Sequence, residues 1–154
     1  MTSQVAFIDC RDGDFYVQSW DYSTGRYPML SQGIWYTKIA GGLPAELGAA
    51  IRAALAHSQS GVEFTTERRA EQHKTRRALL KLAGVRGETQ YQTGLSKIMV
   101  EDHEGEGDLE VTIYDNPDPR KNMTERPGLI YIGKASSDED LGSRVRDLLT
   151  ASSQ

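Results

Sequence analysis

Two stretches of this chain repeat at a constant offset of 94 residues, and this repeat constrains the fold more than any other feature. Leu47–Ser58 and Leu141–Ser152 share the pattern Leu-Gly-x-x-(Ile/Val)-Arg-x-x-Leu-x-x-Ser. Held over residues 12–58, the same offset gives eleven identities without a gap, whereas ordinary residue frequencies give about three by chance. The sequence therefore predicts a tandem duplication inside one domain. The predicted domain spans residues 1–154, the repeats 5–58 and 99–152, and the insert 59–98.

Each repeat is expected to fold as strand, turn, strand, loop, strand and helix. In the second repeat, Leu109, Val111 and Ile113 alternate with more polar residues, which is the period of a strand with one buried face. The expected segments of the first repeat are Val5–Ile8, the turn Arg11–Asp14, Phe15–Trp20, the loop Ser23–Gly33 and Ile34–Ile39. Their counterparts include the turn Glu104–Asp108, the loop 116–128 marked by Pro117, Pro119 and Pro127, and the strand Ile130–Ile132.

Both repeat helices are short and amphipathic. Pro44 suits the first helical position, where its missing N–H costs nothing. Ser136 or Ser137 is the candidate N-cap of the second helix. The predicted buried faces comprise Leu47, Ile51 and Leu55, and then Leu141, Val145, Leu148 and Leu149. Gly48 and Gly142 recur inside the helices, where glycine is unfavourable, so we expect each to allow a close approach of its helix to the sheet.

A third helix is predicted between the repeats over Thr65–Gly84, with Thr65 or Thr66 as N-cap and Gly84 just beyond its end. The expected fold class is α+β: an antiparallel sheet from two repeated β-β-β-α halves, packed beneath helices, plus this extra central helix. Whether the halves share one sheet or form two facing units stays open at this point.

Composition favours a soluble cytoplasmic protein. The chain of 154 residues is 38% hydrophobic and 26% charged, and a domain of this length needs neither disulfide nor metal to fold. Its single cysteine suits a reducing compartment. The first residues resemble no signal peptide, and no apolar run reaches the ~18–20 residues that cross a bilayer. The net charge of −4 favours a basic partner over nucleic acid or membrane.

No enzyme motif is present, so we expect no catalytic residues, no metal site and no cofactor. The three histidines, His57, His73 and His103, lie in different predicted elements and are expected to be solvated. Cys10 follows a strand and is expected to act as a small buried hydrophobe.

The densest charge feature is the acidic run from Glu101 to Glu110, which contains no Lys or Arg. Its spacing does not fit a calcium-binding EF-hand loop. The simplest interpretation is a solvated hairpin tip; the functional one is a negative patch that docks a basic partner. The candidate partner-binding residues are Glu101, Asp102, Glu104, Glu106 and Asp108, with Asp12 and Asp14 of the first turn expected to extend the patch.

The central helix has the opposite charge and supports an alternative hypothesis. Seven cations fall between residues 66 and 86, which could form a nucleic-acid-binding module. However, they do not form one stripe, and the nearest aromatics, Phe64 and Tyr91, flank the helix without interleaving. Nucleic acid is therefore the less favoured partner.

The twice-used helix pattern at Leu47–Ser58 and Leu141–Ser152 resembles a helix signature of CdiI immunity proteins from contact-dependent growth inhibition systems. The resemblance extends to size, acidity and the strand-rich stretch before each helix. It implies a cytoplasmic protein that binds the C-terminal toxin domain of a CdiA effector and blocks its active site. The toxin is expected to be a nuclease with a basic substrate groove. The 66–86 helix has no counterpart in the pattern, and no contact residue is carried over from the resemblance.

Overall fold

A computed structural model describes residues 2–33, 36–116 and 118–152. In chain order the strands and helices are β1 (Ser3–Arg11), β2 (Asp14–Tyr22), β3 (Pro28–Leu30), β4 (Tyr36–Ala40), α1 (Pro44–His57), α2 (Thr66–Leu82), α3 (Glu88–Gln92), β5 (Ser96–His103), β6 (Asp108–Asp115), β7 (Thr124–Glu125), β8 (Ile130–Gly133) and α4 (Asp138–Ser152). The fold is α+β, as predicted, with an antiparallel sheet and helices.

All eight strands belong to one sheet, which resolves the question left open by the sequence. The strand order is β3-β2-β1-β5-β6-β7, with β4 also pairing β2 and β8 also pairing β6. The two halves meet where β1 pairs β5, in antiparallel register from Ser3 opposite His103 to Cys10 opposite Ser96. The turn that follows β1 and the turn that follows β5 therefore lie at opposite ends of the sheet.

The main core lies between the sheet and the pair α1 and α4. Leu109, Val111 and Ile113 are buried, as predicted, but Thr112 on the other face is buried as well, so the predicted alternation is confirmed only in part. Leu47, Ile51 and Leu55 of α1 and Leu141, Val145 and Leu149 of α4 are buried in the same cluster. Leu148 packs against its margin and is partly buried. The two amphipathic helices thus cover one face of the sheet.

Local signals for helix ends are confirmed. Pro44 is the first residue of α1. The Thr65 side chain accepts a hydrogen bond from the N–H of Arg68 at 3.2 Å and caps α2. Ser137 accepts from the N–H of Asp140 at 3.0 Å and caps α4. Gly84, just beyond α2, has φ of +74°, a conformation that glycine adopts without strain.

Gly48 and Gly142 each allow a close approach, as predicted, but the prediction that the helices approach the sheet at these glycines is wrong. A Cβ at Gly48 would lie 1.8 Å from the carbonyl oxygen of Asp138, and one at Gly142 would lie 1.8 Å from that of Pro44. Each glycine thus lets its helix approach the other helix, not the sheet. The two contacts are reciprocal, since each helix presents its glycine to the first residue of the other.

Other expectations require smaller corrections. The short strands β3 and β7 lie inside the predicted loops, so each half has four strands instead of three. The short helix α3 was not predicted, and β5 begins at Ser96, inside the predicted insert. Ile34 and Trp35 of the expected third strand, and Pro117 of the second loop, lie outside the described residues.

The order of elements is the same in both halves. Adding 94 to the bounds of α1 gives 138–151, beside 138–152 for α4, and adding it to β2 gives 108–116, beside 108–115 for β6. A common origin by duplication stays a prediction, which a superposition of the halves tests. Within the described residues, none of the helices has the length and apolar character needed to cross a membrane.

Candidate functional site

The face of the sheet opposite α1 and α4, called the open face below, divides into three zones. Helices α2 and α3 cover one end with a small core that includes Tyr16, Leu79 and Tyr91. An aromatic group lies in the middle, and carboxylates collect at the far end. Strand register produces this division, because it determines which residues of neighbouring strands lie side by side.

The covered end is held by a buried polar network. The Asp9 carboxylate is fully buried and accepts hydrogen bonds from Gln18 Nε2 at 2.8 Å and the Tyr91 hydroxyl at 2.6 Å. Burial, together with the Asp9 carboxylate, raises the pKa of Tyr91, so Tyr91 stays protonated and donates. These contacts fasten α3 to the sheet, because a buried carboxylate is costly without donors.

The far end of the sheet, called the acidic end, carries six carboxylates, from Glu101, Asp102, Glu104, Glu106, Asp108 and Glu110. Alternation along β5 places Glu101 on the open face and Asp102 on the side of α1 and α4. The predicted turn Glu104–Asp108 is confirmed except that Asp108 begins β6. Glu101 and Asp102 belong to β5, so the acidic run as a whole is not a hairpin tip. Five predicted site residues are therefore close together, on the last residues of β5, the following turn and the start of β6.

Asp12 and Asp14 do not extend this patch, contrary to expectation. Their turn follows the end of β1 that pairs near Ser96, whereas the acidic end adjoins Ser3 at the other end of β1. Eight residue steps at ~3.3 Å place the two turns about 26 Å apart. The prediction failed because equivalent turns of antiparallel halves lie at opposite ends of a shared sheet. Asp14 also lies 3.7 Å from Lys38.

The acidic end is partly neutralised and held in place by contacts from distant segments. Lys134 Nζ lies 2.5 Å from Asp102 Oδ1 and 3.0 Å from the His103 carbonyl oxygen. Glu104 accepts hydrogen bonds from the backbone N–H and hydroxyl of Thr2, and these bonds lower the pKa of Glu104. In the part of the chain that the structure describes, the exposed side chains of Glu106 and Asp108 have no ion-pair partner.

His103 is not the solvated side chain predicted from the sequence. Its Nδ1 lies 2.7 Å from the Ser3 hydroxyl and its Nε2 lies 3.0 Å from Glu110 and 3.7 Å from Glu101. Tyr22 donates a short hydrogen bond to Glu101, and burial followed by this bond raises the pKa of Tyr22. The histidine thus bridges two carboxylates that face each other across β5 and β6.

The same three residues could hold a metal ion. One ligand atom from each of Glu101, His103 and Glu110 lies within 4.8 Å of the others, and imidazole with carboxylates is a zinc-type donor set. Sequence spacing missed this group because it depends on the pairing of Glu101 with Glu110. The alternation of β5 and β6 was the only available signal, since it places these side chains on one face.

Two open clefts flank the first residues of β1 at the acidic end. The larger, of about 780 Å³, is lined by polar groups that include Tyr22, Arg26, Glu101 and His103. The smaller, of about 570 Å³, is lined by the 58–60 segment with Asp102 and Glu104. The acidic end therefore offers concave surfaces with hydrogen-bond donors and acceptors.

The other sequence candidates have structural roles or exposed positions. Cys10 is buried, as expected, and burial raises the pKa of its thiol. His57 and His73 are exposed. On α2, Arg68 lies 2.9 Å from the buried Asp21 and Arg76 binds Glu88 through two nitrogens. Two of the seven cations proposed for nucleic-acid binding are thus ion-paired within the protein, and a third, Arg69, lies 5.4 Å from the centroid of the Phe64 ring.

Comparisons with known proteins show what the fold is similar to. No family model matches the chain, and no curated protein matches it in sequence. Among solved structures, a Neisseria meningitidis protein of unknown function has a TM-score of 0.80 and 13% identity, over 97% of this chain and 95% of that chain. A chain in a CdiA-CT/CdiI toxin and immunity complex from Yersinia pseudotuberculosis has a TM-score of 0.77 and 11% identity, over 98% of this chain and 97% of that chain. At these identities the likeness shows a shared fold.

Proposed function

We propose that this protein is a non-catalytic, cytoplasmic immunity protein that binds the C-terminal toxin domain of a CdiA effector. It neutralises the toxin, expected to be a nuclease, by covering its active site in a one-to-one complex. The observation that carries the proposal is a preorganised acidic end on a fold similar to a chain of a toxin and immunity complex. A basic substrate groove is the partner that this surface fits.

The charge arrangement suits association with such a groove. Glu106 and Asp108 are exposed at the tip between β5 and β6, where an approaching partner meets them first. Carboxylates placed on a projecting turn can occupy the positions that phosphates take in a nuclease groove. Complementary charge raises the association rate by up to several orders of magnitude and fixes orientation.

The rigid support behind the tip lowers the cost of binding. Lys134 comes from the segment after β8 and Thr2 from the chain start, and both anchor carboxylates of the acidic end. His103 fixes two more. Because these four side chains are already held in place, little of their rotamer entropy is lost when a partner binds; this does not apply to Glu106 and Asp108 at the tip.

The proposal is tested with the toxin domain of the effector encoded beside this gene. Association kinetics are measured for a Glu106→Gln/Asp108→Asn variant and for a matched Asp12→Asn/Asp14→Asn control, which loses the same charge at the opposite end. We expect the first variant to associate several-fold more slowly at low ionic strength and to approach the parent rate at high salt, where charges are screened. The control is expected to associate at the parent rate.

Two results would count against this assignment. Equal association rates for the parent and the Glu106→Gln/Asp108→Asn variant would show that the acidic end lies outside the interface. A slower rate for Asp12→Asn/Asp14→Asn alone would move the interface to the first turn. Circular dichroism of each variant verifies that the fold is retained.

A further inference from the structure

A cleft in the middle of the open face, called the aromatic cleft, combines rings and cations. It has a volume of about 430 Å³, within the range of about 300–1,000 Å³ typical of small-molecule sites. Its lining includes Phe7, Trp20 and Tyr114 from the sheet and Lys97, Arg120 and Lys121 around them. Nothing in the proposed toxin-binding role uses this cleft.

The rings form a partly exposed platform. Phe7 contacts Trp20 with ring centroids 4.7 Å apart and Tyr114 with centroids 5.9 Å apart, both in tilted geometry. Phe7 is buried beneath the other two, which remain partly exposed. Partly exposed aromatic rings of this kind provide stacking surfaces for a planar ligand.

Three cations line the cleft in a protein whose net charge is −4. Lys97 Nζ lies 3.7 Å from the buried Asp9 carboxylate and 5.3 Å from the Phe7 ring centroid. The ammonium is thus ion-paired with Asp9, and its three N–H donors leave capacity for a ligand as well. Arg120 forms an ion pair with Asp118, with Nε 3.4 Å from Oδ1, and its side chain remains mostly exposed. Among the described residues that line the cleft, the one carboxylate is that of Glu88, which is ion-paired with Arg76.

We propose that the aromatic cleft binds a nucleotide unit, either a free nucleoside monophosphate or one residue of a single strand. The base stacks on Trp20 or Tyr114, and the phosphate binds Lys97 with Arg120 and Lys121. The acidic end lies beyond Met99 on the same face, so charge orients the phosphate toward Lys97. This inference stands independently of toxin binding.

The experiment follows the indole N–H signal of Trp20 by NMR during titration of the full chain, with the signal assigned from Trp20→Phe. The probes are AMP, adenosine, inorganic phosphate and a single-stranded hexamer of adenylate RNA. AMP is expected to bind saturably, about tenfold more tightly than adenosine, because it adds charge-assisted hydrogen bonds. An Arg120→Ala/Lys121→Ala variant is expected to raise the AMP Kd about tenfold.

A charge-matched Lys74→Ala/Arg77→Ala variant on α2 is the control and is expected to keep the parent Kd. If the hexamer binds more tightly than AMP, and Arg120→Ala/Lys121→Ala weakens both by the same factor, the ligand is a residue of a single strand. If the hexamer binds more weakly than AMP, the ligand is the free nucleotide. No saturable shift with AMP or hexamer would overturn the proposal. Equal affinity for adenosine and AMP, or equal loss in the α2 variant, would overturn it as well.

Discussion

Replacing Gly48 with alanine is expected to force α1 and α4 apart. The new methyl carbon would lie 1.8 Å from the Asp138 carbonyl oxygen, whereas ordinary contact begins at 3.4 Å. The backbones must therefore separate by about 3.4 − 1.8 = 1.6 Å at this point. Since the obstacle is backbone at a helix start, no side-chain rotation relieves it.

The expected cost follows from two opposing effects. Overpacking costs about 1–3 kcal/mol, and the rigid obstacle places this site at the upper end. Alanine in place of glycine returns about 1 kcal/mol of helix propensity. The net loss is about 2 kcal/mol of unfolding free energy, or roughly 30-fold in the equilibrium constant. For a chain of this size, that lowers Tm by about 4–8 °C.

Urea unfolding measures the effect, with Gly107→Ala as the matched control. A Cβ at Gly107 would meet nothing within 4 Å, so this variant is expected to stay within about 0.5 kcal/mol of the parent. Gly142→Ala is expected to match Gly48→Ala, and the double variant to lose less than the sum, because one separation relieves both contacts. If Gly48→Ala is as stable as the parent, the reasoning about the helix contact is refuted.

Three further predictions concern polar contacts. Arg52→Ala removes hydrogen bonds to two backbone carbonyls and to the first residue of α4. We expect urea unfolding to show a loss of about 1–2 kcal/mol in unfolding free energy, limited by the partial exposure of Arg52. No loss would show that these hydrogen bonds do not stabilise the fold. Asp21→Asn leaves the partly buried Arg68 without its carboxylate, so roughly 3 kcal/mol should be lost; a loss below about 1 kcal/mol would contradict it. Hydrogen bonding to Arg76 lowers the pKa of Glu88, so Glu88 stabilises the fold above its unfolded pKa, and this contribution is lost as pH falls through the lowered value. The stability gap between parent and Glu88→Gln should therefore narrow from pH 7 to pH 3, and a constant gap would contradict this.

Much of the fold could be predicted because its signals are local. The alternation at Leu109–Ile113, the cap at Thr65 and the proline at the start of α1 each depend on a few adjacent residues. Backbone geometry and capping chemistry give such patterns one favoured structure. The short strands β3 and β7 escaped prediction because two or three residues carry no measurable period.

The candidate site could be predicted only in part, because strand register brings its groups together. The run from Glu101 to Asp108 is contiguous in sequence and stays together in space. The separation of Asp12 from this run, and the bridge from His103 to Glu110, follow from antiparallel pairing across β1, β5 and β6. Lys134 reaches the acidic end from the segment after β8, and no spacing rule indicates such a long-range contact.

Titration of toxin activity tests the central claim most directly. A candidate toxin domain, sought in the gene beside this one, is assayed on its own substrate with increasing equivalents of the protein. We expect toxin activity to fall linearly and to vanish at one equivalent of the parent protein. At low toxin concentration, the Glu106→Gln/Asp108→Asn variant is expected to need a larger excess than the parent for the same inhibition. Full toxin activity in the presence of excess protein would contradict the account.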